Sequence, residues 1–293
     1  MKNTFHVVNY NDNLINVDVD LLTICNYHCY YCYTRENTKL LNKIITKDVL
    51  ECLFLKIKES KKQFDVGLLG GEPSLYPKLY DVIDKLLNFQ NIHELVVFTN
   101  GSHPEKFAKI INSFDDERLK VNLSFHYTEI VKHKHENLFK KNFMLLKHKI
   151  WKITIMITSE NEEKINDWYE YFTHQFPWIE VELTYPVVGN EITEQKIGSL
   201  STKLIKSFIY NETKILTYDD VIKKNLNNFK GWKCDLRYCH INVDGSFMIN
   251  CFDDTKYNIM NNKFHFDDVT YAICDKSKCV HDCMLETFKE FKC

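Results

Sequence analysis

The chain has 293 residues, 44% of them hydrophobic and 27% charged, which supplies one large core or two modest ones and excludes fibrous, collagenous and wholly disordered architectures. Lysine and arginine (38) nearly balance aspartate and glutamate (40), and the net charge of −2 gives no basic footprint, so nucleic acid is not an expected partner. No apolar run approaches the roughly 18 residues of a membrane span, and Met1 to Tyr10 lacks the basic-then-apolar order of a secretory signal, so a cytoplasmic protein with no membrane partner is expected.

Along the chain, short β-rich runs alternate with amphipathic ones. The pattern predicts strands at Ile15 to Ile24, Asp65 to Leu69, Glu94 to Thr99, Lys120 to Phe125, Lys152 to Thr158 and Ile179 to Tyr185. Between them it predicts helices at Lys47 to Lys62, Pro77 to Phe89, Pro104 to Phe114, Glu136 to Lys149 and Glu162 to Phe176, with another near Thr202 to Tyr210. Leu79, Val82, Ile83, Leu86 and Leu87 fall on one face at a 3.6-residue period, and Pro77 suits a first turn. Six successive β–α units imply an α/β fold, a partial (β/α)6 TIM-like barrel, in which ligands meet the carboxyl ends of the strands. The expected organisation is an N-terminal extension over 1–14, a barrel over 15–212, a connecting segment over 213–231 and a small cysteine-rich α+β domain over 232–293. No internal repeat or low-complexity linker interrupts it.

Eleven cysteines carry the chemistry, since reduced thiols clustered in a cytosolic chain point to metal before disulfide. Cys52 stands alone and reads as a buried small hydrophobe. Cys25, Cys29 and Cys32 follow the first strand as Cys-Asn-Tyr-His-Cys-Tyr-Tyr-Cys. Zinc wants a fourth ligand at hand, whereas three thiolates on one loop hold three irons of a cubane and leave the fourth iron open to a cofactor. After the second strand comes Gly70-Gly71-Glu72-Pro73, after the third Thr99-Asn100-Gly101, and the fourth carries Ser124-Phe125-His126. Taken singly, the glycine pair and Asn100-Gly101 are ordinary turns, and no Lys-Ser/Thr follows the glycines as in a phosphate loop. Their joint placement at successive strand ends is what one shared site needs.

This set resembles the radical S-adenosylmethionine (SAM) superfamily. The resemblance implies that Cys25, Cys29 and Cys32 hold a 4Fe-4S cluster, that Tyr31 packs beside the cluster and the adenine, and that Gly70, Gly71, Glu72 and Pro73 meet the cofactor's amino group. There the glycines would let backbone approach the ligand and the Glu72 carboxylate would pair with the ammonium. It further implies Asn100 at the rim and Ser124 at the ribose or the methionine carboxylate, while topology alone brings Thr158, Pro186 and Val187 there. His126 and Tyr127 depart from the Ser-x-Asp-Gly run of many peptide-modifying members. His28 and His126 near the rim are candidates for titration near neutrality, set against the commoner structural role of a lone histidine. In the family, the reduced cluster gives one electron to the sulfonium, and the resulting 5′-deoxyadenosyl radical removes a substrate hydrogen. An electron donor such as flavodoxin or ferredoxin is therefore an expected partner.

The second cysteine group begins with Cys234 and Cys239. Asp244-Gly245 between two apolar runs signals a two-residue hairpin that brings these toward Cys251. Cys274, Cys279, Cys283 and Cys293 follow. The arrangement resembles the auxiliary-cluster extension called SPASM, or its shorter twitch form, which implies Cys234, Cys239, Cys251 and Cys283 as ligands of one further 4Fe-4S cluster. Cys274, Cys279 and Cys293 are one ligand short of a second. Structural zinc would accept the same thiolates, although Cys-x-x-Cys pairs are absent from this stretch. Auxiliary clusters in resembling enzymes take up the electron left on a substrate radical or bind substrate. The expected activity is thus that of a radical SAM oxidoreductase, oxidatively modifying or cross-linking a peptide. A small-molecule (sugar or nucleoside) dehydrogenase or epimerase is the alternative, and a non-catalytic iron–sulfur or zinc scaffold the alternative of another class. Peptide-modifying members often carry a leader-binding domain ahead of the barrel, and with residues 1–14 ahead of the first strand none is expected here.

Overall fold

Alternation of buried Ile15, Val17, Val19 and Leu21 with Asn16, Asp18 and Asp20 gives the first barrel strand one apolar and one polar face, and the strand Leu119–Phe125 follows the same rule, with Val121, Leu123 and Phe125 against Lys120, Asn122 and Ser124. The computed structural model describes residues 3–7, 11–32, 40–102, 105–158, 160–184, 187–188, 191–192, 207–210, 214–217, 220–221, 224–249, 252–261, 263–268, 271–275, 277, 279 and 289–291. After β1 (Asn3–Val7) and β2 (Leu14–Leu22) the chain runs α1 (Lys47–Glu59), β3 (Gln63–Gly70), α2 (Leu79–Leu87), β4 (Ile92–Thr99), α3 (Glu105–Asn112), β5 (Leu119–Phe125), α4 (Tyr127–Lys132), α5 (Glu136–Leu146), β6 (Ile150–Met156), α6 (Glu162–Gln175) and β7 (Glu180–Thr184). Strands β2 to β7 lie side by side in sequence order, every pair parallel, as the expected partial barrel requires.

Local chemistry sets the helix ends. Thr46 caps α1 by accepting from the Val49 amide, with Asp48 in the first turn and Lys56 and Lys58 in the last, each charge placed favourably for the helix dipole. The helices bury their apolar faces on the sheet, α2 through Leu79, Val82, Ile83 and Leu86. Phe125 is wholly buried, with the rings of Trp168, Phe139 and Phe172 at 4.7, 5.0 and 5.6 Å. Cys52, expected to be buried, is half-buried on α1 and contributes nothing to that helix's packed face.

Downstream come a ribbon of β8 (Val187–Val188) and β9 (Glu191–Ile192), then β10 (Ser207–Tyr210), β11 (Lys214–Thr217), β12 (Lys233–Asp235), β13 (Tyr238–Ile241), β14 (Ser246–Ile249), β15 (Phe252–Asn258), β16 (Tyr271–Ile273) and β17 (Lys289–Phe291). Three features differ from expectation. Residues 207–210, expected to be helical, form a strand: Ser-Phe-Ile-Tyr is a β-favouring run, and it pairs with both β1 and β11. Residues 3–7, expected to precede all structure, sit between β10 and β17 in a second sheet ordered β11-β10-β1-β17-β12-β16. The hairpin turn spans Asn242 to Gly245 rather than two residues, with the Gly245 amide donating to Asn242 O at 2.9 Å, Gly245 at φ +80°, and Asp244 Oδ1 accepting from the Ser246 amide.

Strand β13 joins the barrel sheet, running parallel to β2 with Tyr238 opposite Asn16 and His240 opposite Asp18. Among the described residues the sheet is therefore ordered β15-β14-β13-β2-β3-β4-β5-β6-β7. Phe125→Ala should cost about 3–5 kcal/mol in urea unfolding, and Leu55→Ala, on an exposed position of α1, less than about 0.5 kcal/mol.

Candidate active site

Beyond Leu22 the chain leaves the sheet and carries Cys25, Cys29 and Cys32 over the carboxyl end of the barrel. Thr23 secures both ends of this excursion, its hydroxyl donating to Leu40 O at 2.5 Å and accepting from the Lys43 amide at 2.9 Å. The Cys32 amide closes a turn onto Cys29 O at 3.3 Å. Burial pushes the Cys25 thiol up to about 11, with the charges of Glu72 and Cys32 adding to the effect. Burial likewise pushes Cys29 up to about 12, with Glu129, Cys32 and Cys25 adding. The three thiols thus lie within one another's field, in a place where thiolate charge calls for a compensating cation.

The glycine motif is fitted to this excursion. A Cβ on Gly70 would lie 2.1 Å from Leu22 O, and one on Gly71 2.1 Å from Ile24 O. The amides of Gly71 and Glu72 donate to Leu22 O at 2.6 Å and Ile24 O at 2.9 Å. The glycines thus admit the backbone that leads into Cys25. The Glu72 side chain is buried, Oε1 accepting from Thr99 Oγ1 at 2.8 Å and Ser74 N at 3.1 Å, Oε2 from Asn100 N at 2.8 Å. Burial raises its carboxyl, while these donors pull it down. The carboxylate ties the ends of β3 and β4 together.

Strand β5 and helix α4 grip the cysteine loop from the other side. The Tyr31 hydroxyl lies 2.9 Å from His126 Nδ1, and Tyr27 OH 3.1 Å from His135 Nδ1. The His28 amide donates to the buried Glu129 at 2.9 Å. Against the burial that raises it, that amide, Lys132 and His133 hold the Glu129 carboxyl below its usual range. Burial pushes His126 down to about 4, so it is a neutral partner of Tyr31 rather than a group titrating near neutrality. Sequence reading missed Glu129, Tyr27 and His135. The run of polar residues just after the fourth strand end was the available signal.

Other rim residues follow the strand alternation. Ser124 stands opposite Thr154, between buried Leu123 and Phe125, on the polar face. Thr158, just beyond β6, is buried, and its hydroxyl, like the buried Ser74 hydroxyl beside the glycine motif, has no partner among the described residues. Val187 begins the separate ribbon β8–β9, and Pro186 lies outside the described residues. Deeper on the polar face, Lys152 pairs with Glu182 at 2.5 Å, and Tyr238 donates to Asp18 at 2.8 Å. His240 lies 3.3 Å from Asp20. Of the C-terminal cysteines, Cys234, Cys239, Cys274 and Cys279 are buried, whereas Cys251, Cys283 and Cys293 lie outside the described residues. Cys234 stands on β12 opposite Ala272, and Cys239 on β13 in the barrel sheet. Among the described residues no three His, Cys, Asp or Glu side chains close on a single ion.

A parallel partial barrel with a three-cysteine loop and a glycine–glutamate clamp at its carboxyl rim defines a class of iron–sulfur α/β enzymes. A sequence profile of the Radical SAM superfamily matches residues 19–172, and the chain belongs to that superfamily. GTP 3',8-cyclase from Helicobacter pylori is 28% identical over 178 residues, covering 56% of this chain and 54% of that protein. The enzyme of the same name from Thermodesulfovibrio yellowstonii is 29% identical over 121 residues, covering 39% and 36%. The chain thus spans between about a third and a half of these curated relatives' length. Among solved structures, native anSMEcpe with bound AdoMet and Cp18Cys peptide aligns at TM-score 0.60 and 16% identity, over 87% of this chain and 80% of that one. Streptococcus suis SuiB bound to precursor peptide SuiA aligns at 0.51 and 13%, over 88% and 64%. These likenesses share the fold.

The cofactors of the family are S-adenosylmethionine and a 4Fe-4S cluster, and the site suits both. Three thiols on one loop, Cys29 buried and Cys25 and Cys32 half-buried, match the cluster's donor set, and the hydroxyls of Thr158 and Ser74, without a partner among the described residues, are hydrogen-bonding groups left over at the rim. Gly71→Ala would drive Ile24 and the start of the cysteine loop off β3. It should lower stability by about 1–3 kcal/mol and reduce the iron retained after anaerobic reconstitution.

Proposed function

We propose that the chain is a radical SAM enzyme that oxidatively modifies or cross-links a peptide, with an auxiliary iron–sulfur cluster in residues 232–293. In this reading Cys25, Cys29 and Cys32 ligate three irons and leave the fourth to S-adenosylmethionine. The backbone at Gly70, Gly71 and Pro73, the Tyr31 ring, Ser124, Thr158 and Val187 surround that cofactor, and Glu72 and Asn100 frame it. Once bound and reduced, the pair supplies a 5′-deoxyadenosyl radical that takes a hydrogen atom from the substrate. The chain's own part is to hold the loop rigid, keep water out and align one substrate hydrogen. Cys234, Cys239, Cys251 and Cys283 are assigned to one auxiliary cluster, with Cys274, Cys279 and Cys293 available to a second. A flavodoxin- or ferredoxin-like protein would supply the electron.

The observation that carries the peptide reading is the continuity of barrel and C-terminal region. Strand β13, which bears Cys239, is hydrogen-bonded to β2, and the likeness to peptide-bound anSMEcpe extends over 87% of the chain. A nucleotide substrate is the second reading. It is favoured by the GTP 3',8-cyclases, whose similarity stops at 56% of this chain in the longer match above.

Replacing Cys25, Cys29 and Cys32 together by Ala should abolish 5′-deoxyadenosine formation yet leave iron in the C-terminal region. Eight irons per wild-type chain would mean one auxiliary cluster and twelve would mean two, on about four irons per cubane. Zinc near one per chain with about four irons would remove the oxidative argument. Anaerobically reconstituted protein given S-adenosylmethionine, reductant and GTP should neither consume GTP nor form more deoxyadenosine than without it. Consumption of GTP would replace the peptide by a nucleotide.

A further inference from the structure

We infer that Asn100 acts on the cluster rather than on S-adenosylmethionine, donating an N–H···S hydrogen bond to Cys25, and that Glu72 is the positioning residue that holds it there. The inference rests on the reading of Cys25, Cys29 and Cys32 as cluster ligands. Asn100 Nδ2 lies 3.8 Å from Cys25 Sγ and 3.0 Å from Asn26 Oδ1. Which way the amide faces is decided by a donor that has no alternative role: the Ser102 backbone N–H points at Asn100 Oδ1 from 2.9 Å, so the NH2 end must face the sulfur. The Ser102 hydroxyl donates to the same oxygen at 2.5 Å and accepts from Asn26 Nδ2 at 2.6 Å. Asn26, Ser102 and Asn100 thus form a closed ring of hydrogen bonds in which each group has a single consistent direction.

The backbone makes that ring possible. Gly101 at φ +75° turns the chain sharply after Asn100, and a Cβ there would meet the Phe139 ring at 2.6 Å, so Ser102 can fold back onto the Asn100 side chain only with glycine between them. Glu72 anchors the near side, taking the Asn100 amide at 2.8 Å and the Thr99 hydroxyl at 2.8 Å. Asn100 is 5% exposed, so little water competes for its donors. A second N–H, from the Tyr27 backbone, approaches Cys25 Sγ at 3.4 Å. Donors aimed at a ligating sulfur stabilise negative charge, and one-electron reduction adds negative charge to the cluster. Their effect is therefore to raise its reduction potential and ease electron entry.

The test is an EPR-monitored redox titration of the anaerobically reconstituted full-length protein, following the signal that changes when S-adenosylmethionine is added, which marks the cluster with the open iron. Asn100→Leu and Asn100→Asp both remove the donor, and the latter keeps the oxygen that Ser102 bonds, so it covers failure of the former to fold. Each should disfavour reduction by about three- to tenfold, tenfold being about 59 mV for a one-electron couple. Iron content and S-adenosylmethionine affinity should stay within about twofold. Because Glu72→Gln also removes a negative charge near Cys25, the role of Glu72 is read in combination with Asn100→Leu: the two shifts should be non-additive if Glu72 acts through Asn100, and strict additivity would remove Glu72 from the inference. An unmoved potential in both Asn100 variants with the cluster intact overturns the inference. So does a tenfold loss of S-adenosylmethionine affinity without a shift, which would put Asn100 on the cofactor. Absence of the responsive signal from the wild-type protein would instead overturn the reading of the three cysteines, and this inference with it.

Discussion

Two backbone carbonyls, Leu22 O and Ile24 O, lie where the side chains of residues 70 and 71 would otherwise be. That contact is the constraint on which the carboxyl rim of the barrel depends. Parallel strands β2 and β3 are held by their ladder up to Leu22, where β2 must leave the sheet to carry the cysteine loop. Without further attachment the loop would start from a frayed strand end. The glycines let the Leu22 carbonyl close the ladder and the Ile24 carbonyl continue the pairing past the end of β2, so the loop departs from a defined point. Glu72 extends the same fixation sideways to β4, at the cost of burying a carboxylate. The donors supplied by Ser74, Thr99 and Asn100 offset that cost.

On the opposite side of the loop the fixation is aromatic and histidine-based. Tyr27 and Tyr31 reach across to His135 and His126, while Glu129 holds the His28 amide. The loop is gripped between two neighbouring strand ends on one flank and a helix on the other, and in each grip a buried carboxylate is met by hydrogen-bond donors. The departure from Ser-x-Asp-Gly after β5 acquires a physical reason here: His126 serves the aromatic beside the third cysteine. Below this rim the polar face of the sheet carries matched pairs, Lys152 with Glu182 and Asp18 with Tyr238, the last contributed by the C-terminal region. Barrel and C-terminal region therefore share one lining.

Much of the barrel was legible because its signals are local. Alternation in Leu14–Leu22 and the helical spacing of Leu79, Val82, Ile83 and Leu86 need no partner to be recognised. The motif residues were legible as a set, since each follows a strand. Their roles were less so. Nothing near Gly70 reveals that the atom it must admit belongs to Leu22, and nothing near Glu72 reveals that its donors sit on another strand. Residues 207–210 were misread for the same reason: four residues with β preference are ambiguous until β1, from the opposite end of the chain, is laid beside them. The first arm of the expected hairpin was legible, but its parallel pairing with β2 was not, because β2 is remote in sequence.

The place of β1 bears on how the molecule assembles. It lies inside the second sheet, flanked by β10 and by β17, and β17 also pairs with β12, the strand of Cys234. A strand made among the first residues thus waits, with both edges open, for one made among the last of those described. Pairings of such long sequence separation form late, since the entropy of closing the intervening chain must be met first. The barrel, built from neighbouring β–α units, can close while synthesis continues, but the sheet around Cys234 cannot. The frame around Cys234 is in consequence completed after the barrel strand end from which the N-terminal cysteine loop departs.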